Sequence, residues 1–286
     1  MLPKALIHLI EKKTGLQLQA VNPLGGGCIH YACRLETNQG RFFLKYNHKR
    51  EADNFRCEAL GLGQLTQAAS LRVPELVATD ADAEYAFLIL EWMESGRPAA
   101  DYWQQLGTGL AQLHQITQPH FGWKTDNYIG RLPQSNEVLP EWTHFFVQAR
   151  LQPMLKMAVD TGKMNASDIK VFDRLFGKMS TLFPPEKPAL IHGDLWGGNL
   201  MTDQHGAPVL IDPSVHFAHR EMEIAFMTLF DRQPAAFYQA YEAISPLAPG
   251  WQSRIDLCNL YPLLVHVNLF GGGYVQSVRR IIQSYA

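Results

Sequence analysis

The chain has 286 residues, 47% of them hydrophobic and 18% charged, with a formal net charge of −2. That is enough chain for one large domain or two small ones around a real core, and the mix is that of a globular protein. Lys and Arg are dispersed, with no basic stripe or polybasic run, which excludes nucleic acid and an anionic membrane surface as partners.

The opening MLPKALIHLIEKKTG is amphipathic with internal charges and lacks the apolar core and small-residue cleavage site of a signal peptide. No apolar run approaches the roughly 20 residues that cross a bilayer. Cys28, Cys33, Cys57 and Cys258 have no metal-type spacing and are too few for a disulfide scaffold, so the expectation is a reduced, cytoplasmic protein.

Residues 4–13 read as a short helix. HYACRLETNQGRF and RFFLKYN then give β-rich runs joined by a turn at Asn38-Gln39-Gly40. Residues 51–69 read as a helix with Phe55, Ala59, Leu62 and Leu65 on one face. LRVPELVATD and EYAFLILEWM read as two more strands. The first 90 residues are thus β-β-α-β-β, an antiparallel sheet. Beyond them the chain turns helical. Leu106, Leu110, Leu113 and Ile116 recur at helical spacing, and 141–160 and 168–182 read as further helices, the second capped by Ser167. GAPVLID is a short strand. Everything after 220 reads helical, with a kink expected at Pro262. The fold class is α+β, with a division near residue 92: 1–92 as a small β-rich lobe, 93–286 as a larger helical lobe.

Three stretches carry chemistry. In LGGGCIHYA, Gly25, Gly26 and Gly27 follow a strand and can let backbone approach a phosphate; alone such a triplet is more often a plain turn, as FGGGY at 270–274 warns. No Gly-Lys-Ser/Thr follows, and there is no third glycine at dinucleotide spacing. Lys45 sits inside an apolar-aromatic strand. As a phosphate-directed charge it needs an acid to hold it, with Glu58 the nearest candidate and Glu51 the second. LIHGDLWGGNLM holds Asp194 and Asn199, with Asp212 after the next strand. One carboxylate can accept a hydroxyl proton, while an amide oxygen and a second carboxylate are hard ligands suited to Mg²⁺. Alone, Lys45 also reads as an edge or outward-facing strand residue, and Asp194 and Asn199 as turn caps. Their joint order is that of a phosphoryl-transfer site.

That order resembles the protein-kinase-like fold, with its Gly-rich loop, strand lysine, catalytic-loop Asp and Asn, and metal-binding Asp. HGDLWGGN in place of His-Arg-Asp-Leu and IDPS in place of Asp-Phe-Gly depart from protein kinases and resemble the small-molecule branch. HGDLWGGN, FGWKTDNYIG with WTHFFVQARLQPML, and DPSVHFAHREMEIAFMTLF resemble the fructosamine (ketosamine-3-) kinases over nearly the whole chain. Ser214 stands where that family usually has Ala, and Glu223 where it usually has Asp.

The resemblance implies a two-lobe fold, a small antiparallel N-lobe and a larger α-helical C-lobe, with adenine between the lobes at the backbone of Glu91, Trp92 and Met93. It implies that Gly25–Gly27 and Lys45, held by Glu58, contact ATP phosphates, that Asn199 and Asp212 hold Mg²⁺, and that Asp194 accepts the proton of a sugar 3-hydroxyl. The acceptor would be a free or protein-linked fructosyl- or ribulosyl-lysine, phosphorylated as a step of deglycation. Trp196, His216, Trp123, Asn127 and Tyr128 are candidates for the sugar pocket. Cys28, in the Gly-rich loop, is a candidate redox residue that could link a homodimer; otherwise a monomer is expected. His192, His216 and His219 lack structural-zinc companions. The rivals are an aminoglycoside, choline or homoserine kinase of the same fold, and an ATP-binding pseudokinase.

Overall fold

The computed structural model describes residues 2–25 and 30–285. By compactness the chain divides into two units, Met1–Tyr102 with Asn199–Ser214, and Trp103–Gly198 with Val215–Ala286. The composition shift at 92 marks where strands give way to helices. The compact units follow tertiary contacts instead, so the first extends to Tyr102 and includes a hairpin from much later in the chain.

The first unit opens with α1 (Lys4–Thr14), closed by Gly15 in the left-handed region at φ 73°. Then come β1 (Leu18–Leu24), β2 (Tyr31–Thr37), β3 (Gly40–His48), α2 (Ala52–Ala68), β4 (Leu76–Ala81) and β5 (Tyr85–Glu91). They form one antiparallel sheet in the order β1-β2-β3-β5-β4. The strand ahead of the Gly triplet makes three strands before α2 rather than two. The expected turn joins β2 to β3, with Thr37 opposite Gly40. Leu6, Leu9 and Ile10 of α1 pack on Cys33, Leu35, Leu44, Phe87 and Ile89, one face of the sheet. Side chains alternate across a strand. Leu44 therefore commits Lys45 to the opposite face, where α2 packs against β4 and β5.

The second unit carries most of α3 (Tyr102–His114), the hairpin β6 (Asn127–Ile129) and β7 (Leu132–Gln134), α4 (Trp142–Phe145), α5 (Gln152–Asp160) and α6 (Ala166–Leu182). Between α4 and α5 the helix widens to a π-helix over Phe146–Leu151, where the Gln152 N–H reaches back to Val147 O. Strand β8 (Ala189–Ile191) precedes the 192–199 loop. The first unit's late hairpin is β9 (Leu200–Thr202) with β10 (Pro208–Leu210), and β11 (His216–Ala218) returns to pair with β8. Helices α7 (Glu221–Met227), α8 (Ala235–Ile244), α9 (Trp251–Cys258), α10 (Leu260–Phe270) and α11 (Gly273–Tyr285) finish the chain. Its core joins Phe145, Phe146 and Met154 to Phe172, Leu175, Leu264 and Ile282.

Two local expectations change. Asn165, not Ser167, caps α6: its Oδ1 accepts from the Ser167 N–H at 2.9 Å, and Asp168 returns a bond to the Asn165 N–H at 2.9 Å. Asn is at least as strong a cap as Ser, and the reciprocal bond satisfies a second donor. Pro262 does not kink a helix. It lies in the first turn of α10, where no intrahelical N–H is required. Among the described residues no helix is long and apolar enough to cross a membrane.

Candidate active site

In the first unit the alternation of β3 delivers Lys45 to Glu58. The Lys45 ammonium lies 2.8 Å from Glu58 Oε1 and also donates to Asp212. The lysine and Glu58 side chains are only 12% and 6% exposed, while Asp212 keeps 44% of its side chain open. Burial disfavours the ammonium, but Asp212 and then Glu58 outweigh it and hold Lys45 protonated well above the ordinary lysine value. Burial, and then Asp212, push Glu58 up to about 8 against the pull of Lys45. Burial also works to raise Asp212, but Lys45 outweighs it and keeps that carboxyl below its usual value. Two carboxyls share one cation, and the competition resolves with Asp212 ionised beside Lys45 and Glu58 favoured in its protonated form at neutral pH. Glu51, the second candidate partner, pairs with Arg50 instead.

Asp212 stands in the left-handed region at φ 59°, shared among the described non-glycine residues only with Ala69. Such a backbone costs about 1 kcal/mol or more and collects at functional sites. The β9–β10 hairpin explains the company it keeps. Leu200 pairs with Leu210, and Ile211 N–H donates to Asn199 O at 3.1 Å. Asn199, just before β9, and Asp212, just after β10, therefore share one end of the hairpin. An amide and a carboxylate there are oxygen donors that suit a hard divalent cation such as Mg²⁺.

The other nucleotide candidates follow β5. Glu91 N–H donates to Glu75 O at 2.9 Å and its carboxylate meets Arg72 at 2.7 Å. The Trp92 indole donates to Glu94 at 2.9 Å, and Met93 is buried. Gly25 is exposed with open space at its Cα. Gly26, Gly27 and Cys28 lie outside the described residues. Cys33, Cys57 and Cys258 are buried free thiols.

In the second unit, the β8–β11 pairing sets the start of the 192–199 loop. His192 is fully buried, and its Nδ1 accepts the Asp194 N–H at 3.3 Å. The loop is gripped by Glu223 of α7, whose carboxylate accepts from His192 N at 2.9 Å, Gly193 N at 2.7 Å and His114 Nε2 at 3.1 Å. His114 Nδ1 pairs with the Tyr241 hydroxyl at 2.7 Å. Burial alone would raise the Glu223 pKa, but the His114 bond and the other partners outweigh it and hold the carboxyl below its ordinary value. Asp194, half-buried, is two residues from this grip. Sequence reading assigned no role to His114, Glu223 or Tyr241. A signal was available: an acid inside the apolar run MEIAFM and a histidine closing a leucine stripe must each find a buried partner.

Among the sugar-pocket candidates, Trp196 is open, 39% exposed. Its indole lies over Gly198, where a Cβ would meet ring atoms at 2.3 and 2.4 Å. Trp123, Asn127 and His216 are buried, and Tyr128 is half-buried. Asn127 is engaged at both ends of its amide, donating to Val215 O at 2.9 Å and accepting from Gln134 at 2.7 Å, with Tyr261 donating to Gln134 at 2.5 Å. Arg150, in the π-helix, braces the neighbouring chain through Asn136 at 2.7 Å, and burial lowers its pKa to about 10.

The fructosamine kinase profile matches residues 3–286. The chain is 38% identical over 285 residues to a Synechocystis sp. protein named "probable ketoamine kinase", covering 98% of this chain and 95% of that one. It is 34% identical over 285 residues to a chloroplastic protein-ribulosamine 3-kinase of Arabidopsis thaliana, covering 97% of this chain and 86% of the relative. A crystal structure from Thermobifida fusca, of a protein described as a candidate fructosamine-3-kinase, superimposes with a TM-score of 0.87 at 32% identity, covering 98% of each chain. With the antiparallel sheet, the helical remainder and the order of charged residues along them, these matches place the chain in the fructosamine kinase family, of protein-kinase-like fold.

Proposed function

We propose that this protein is an ATP-dependent kinase that phosphorylates the 3-hydroxyl of ketosamines of the fructosyl- or ribulosyl-lysine type, a deglycating activity in the cytoplasm. The observation that carries the phosphotransferase part is the buried Lys45 joining Glu58 to Asp212. A lysine so held is a fixed positive charge for ATP phosphates, and phosphoryl transfer depends on positioning and charge neutralisation. The ketosamine part is supported by the names of the relatives at 34–38% identity.

In this reading Gly25–Gly27 cover the phosphates, and the Glu91–Met93 backbone receives adenine. Asn199 and Asp212 hold Mg²⁺, which when bound neutralises charge on the transferred group. Asp194 takes the 3-hydroxyl proton as that oxygen bonds to the γ-phosphorus and the bond to the ADP oxygen breaks. Trp196 and Tyr128 face the sugar, while the buried Trp123, Asn127 and His216 act by positioning.

The test is ATP consumption against fructosyl-, ribulosyl- and erythrulosyl-lysine, with kanamycin and choline beside them. Turnover on the ketosamines is expected. Asp194→Asn should lower kcat by about 10³-fold or more with the KM for ATP little changed. Near-native turnover in that variant would remove Asp194 as the base, and turnover confined to kanamycin or choline would remove the substrate class.

A further inference from the structure

Arg72 lies where three parts of the first unit meet. It follows α2, just ahead of β4, and forms a parallel bridge with Val209 of β10, its carbonyl accepting the Leu210 N–H at 2.9 Å. Its guanidinium forks. One nitrogen donates to Glu91, the last residue of β5, at 2.7 Å, and the other to Asp203, in the turn between β9 and β10, at 3.2 Å. Both carboxylates are fixed by further bonds. Glu91 Oε2 accepts the Glu75 N–H at 3.3 Å. Asp203 is buried, and its Oδ1 accepts the N–H groups of His205 and Ala207, each at 2.9 Å. The segment after β5 grips the same turn: Gly96 N–H donates to Thr202 O at 3.1 Å and Ala99 N–H to Gly206 O at 3.0 Å, and a Cβ at Gly96 would run into the Asp203 carbonyl.

The hairpin so held is short, three residues in each strand. At about 3.4 Å per residue, roughly 10 Å separates the turn that meets Arg72 from the end that carries Asn199 and Asp212. A tilt at the turn is therefore delivered to Asn199 and Asp212. At its other nitrogen Arg72 holds the end of β5, where Glu91–Met93 are assigned to adenine. One side chain thus spans the base end and the metal end of the proposed nucleotide site. Stability does not account for it. Arg72 keeps 43% of its side chain open to water, where ion pairs contribute little. Backbone bonds also hold each end without the guanidinium, Glu91 N–H to Glu75 O and Leu210 N–H to Arg72 O, both at 2.9 Å. What the guanidinium adds is a fixed spacing between them. A nucleotide that reaches both ends gains most where that spacing is set in advance, since ordering the hairpin would otherwise be subtracted from its affinity.

We propose that Arg72 is a positioning residue that, through Glu91 and Asp203, sets the Asn199–Asp212 end of the hairpin against the end of β5, so that Mg²⁺ and nucleotide bind cooperatively. This rests on the ATP and Mg²⁺ assignments above. The experiment measures ADP binding by titration calorimetry with Mg²⁺ and with EDTA, in the wild type, Arg72→Met and Arg72→Lys. The ratio of the two Kd values is the metal enhancement, and adenosine is titrated beside them as a ligand of the base end alone.

In the wild type Mg²⁺ should tighten ADP. Arg72→Met should lower that enhancement by about fivefold or more, the scale of coupling between linked sites, with the adenosine Kd unchanged. Arg72→Lys keeps the charge but not the planar fork, and should fall between the two. An enhancement unmoved in Arg72→Met overturns the inference and leaves the kinase reading standing. So does an enhancement that falls only in step with adenosine binding, which is general loosening of the fold. Should Arg72→Met fail to fold, Arg72→Lys decides in the same terms, an unmoved ratio overturning the inference. A wild type that binds ADP equally with and without Mg²⁺ overturns the inference together with the Asn199–Asp212 metal assignment, and one that binds no adenine nucleotide overturns the ATP reading as well.

Discussion

At the residue scale, Gly198 shows how a single missing atom shapes the loop. A methyl there would strike the Trp196 ring at 2.3–2.4 Å, yet the obstacle is the far end of a mobile side chain, so the backbone need not move. Gly198→Ala should therefore change stability by less than about 1 kcal/mol. It should swing the indole away and raise the KM for the ketosamine several-fold, leaving the KM for ATP unchanged. Steady-state kinetics with each substrate varied would check this, and an equal rise in both KM values would count against a sugar-facing Trp196. The glycines of this loop were legible as permissive residues. That one of them makes room for an indole was not, because the clash exists only once the side chain has folded back.

At the element scale, α7 holds the start of the 192–199 loop through one carboxylate. Glu223 accepts from two loop amides and from His114 of α3, all inside the protein. Glu223→Gln keeps the volume but turns an amide donor toward donors, and should cost about 3 kcal/mol in urea unfolding with a matching fall in kcat. Its pH dependence has a definite sign. The folded carboxyl lies below its ordinary value, so its stabilisation is complete above the unfolded pKa of about 4.3 and fades as pH falls through the folded one. The Gln variant should lose less stability on acidification than the wild type, and equal acid sensitivity would exclude this role. Secondary structure was legible at this scale through periodicity: α1, α2 and four of the five strands follow from the apolar pattern, while β1, interrupted by Asn22 and Pro23, was missed. The Asn165 cap and the helix start at Pro262 were not, because competing cap residues and a proline's place in a turn depend on which hydrogen bonds form.

At the scale of the whole molecule, ligand linkage should report the nucleotide site. Lys45→Met leaves two acids facing each other and should destabilise the fold by about 3 kcal/mol. Mg-ATP should stabilise the wild type by about 2.7 kcal/mol at a hundredfold excess over Kd, and thermal unfolding should show that gain largely lost in Lys45→Met. A full gain in the variant would place the phosphates elsewhere. The sequence by itself determined the fold class and the order Lys45, Glu58, Asp194, Asn199, Asp212, because apolar periodicity sets local structure and phosphoryl transfer needs those residue types in a recognisable order. Only the tertiary structure decided that Lys45 meets Glu58 and Asp212 together and that Glu223 grips the loop. It also buried Trp123, Asn127 and His216 while leaving Trp196 exposed, edge-on to Phe230. Burial and long-range pairing depend on contacts between residues far apart in the chain, and no local pattern encodes those.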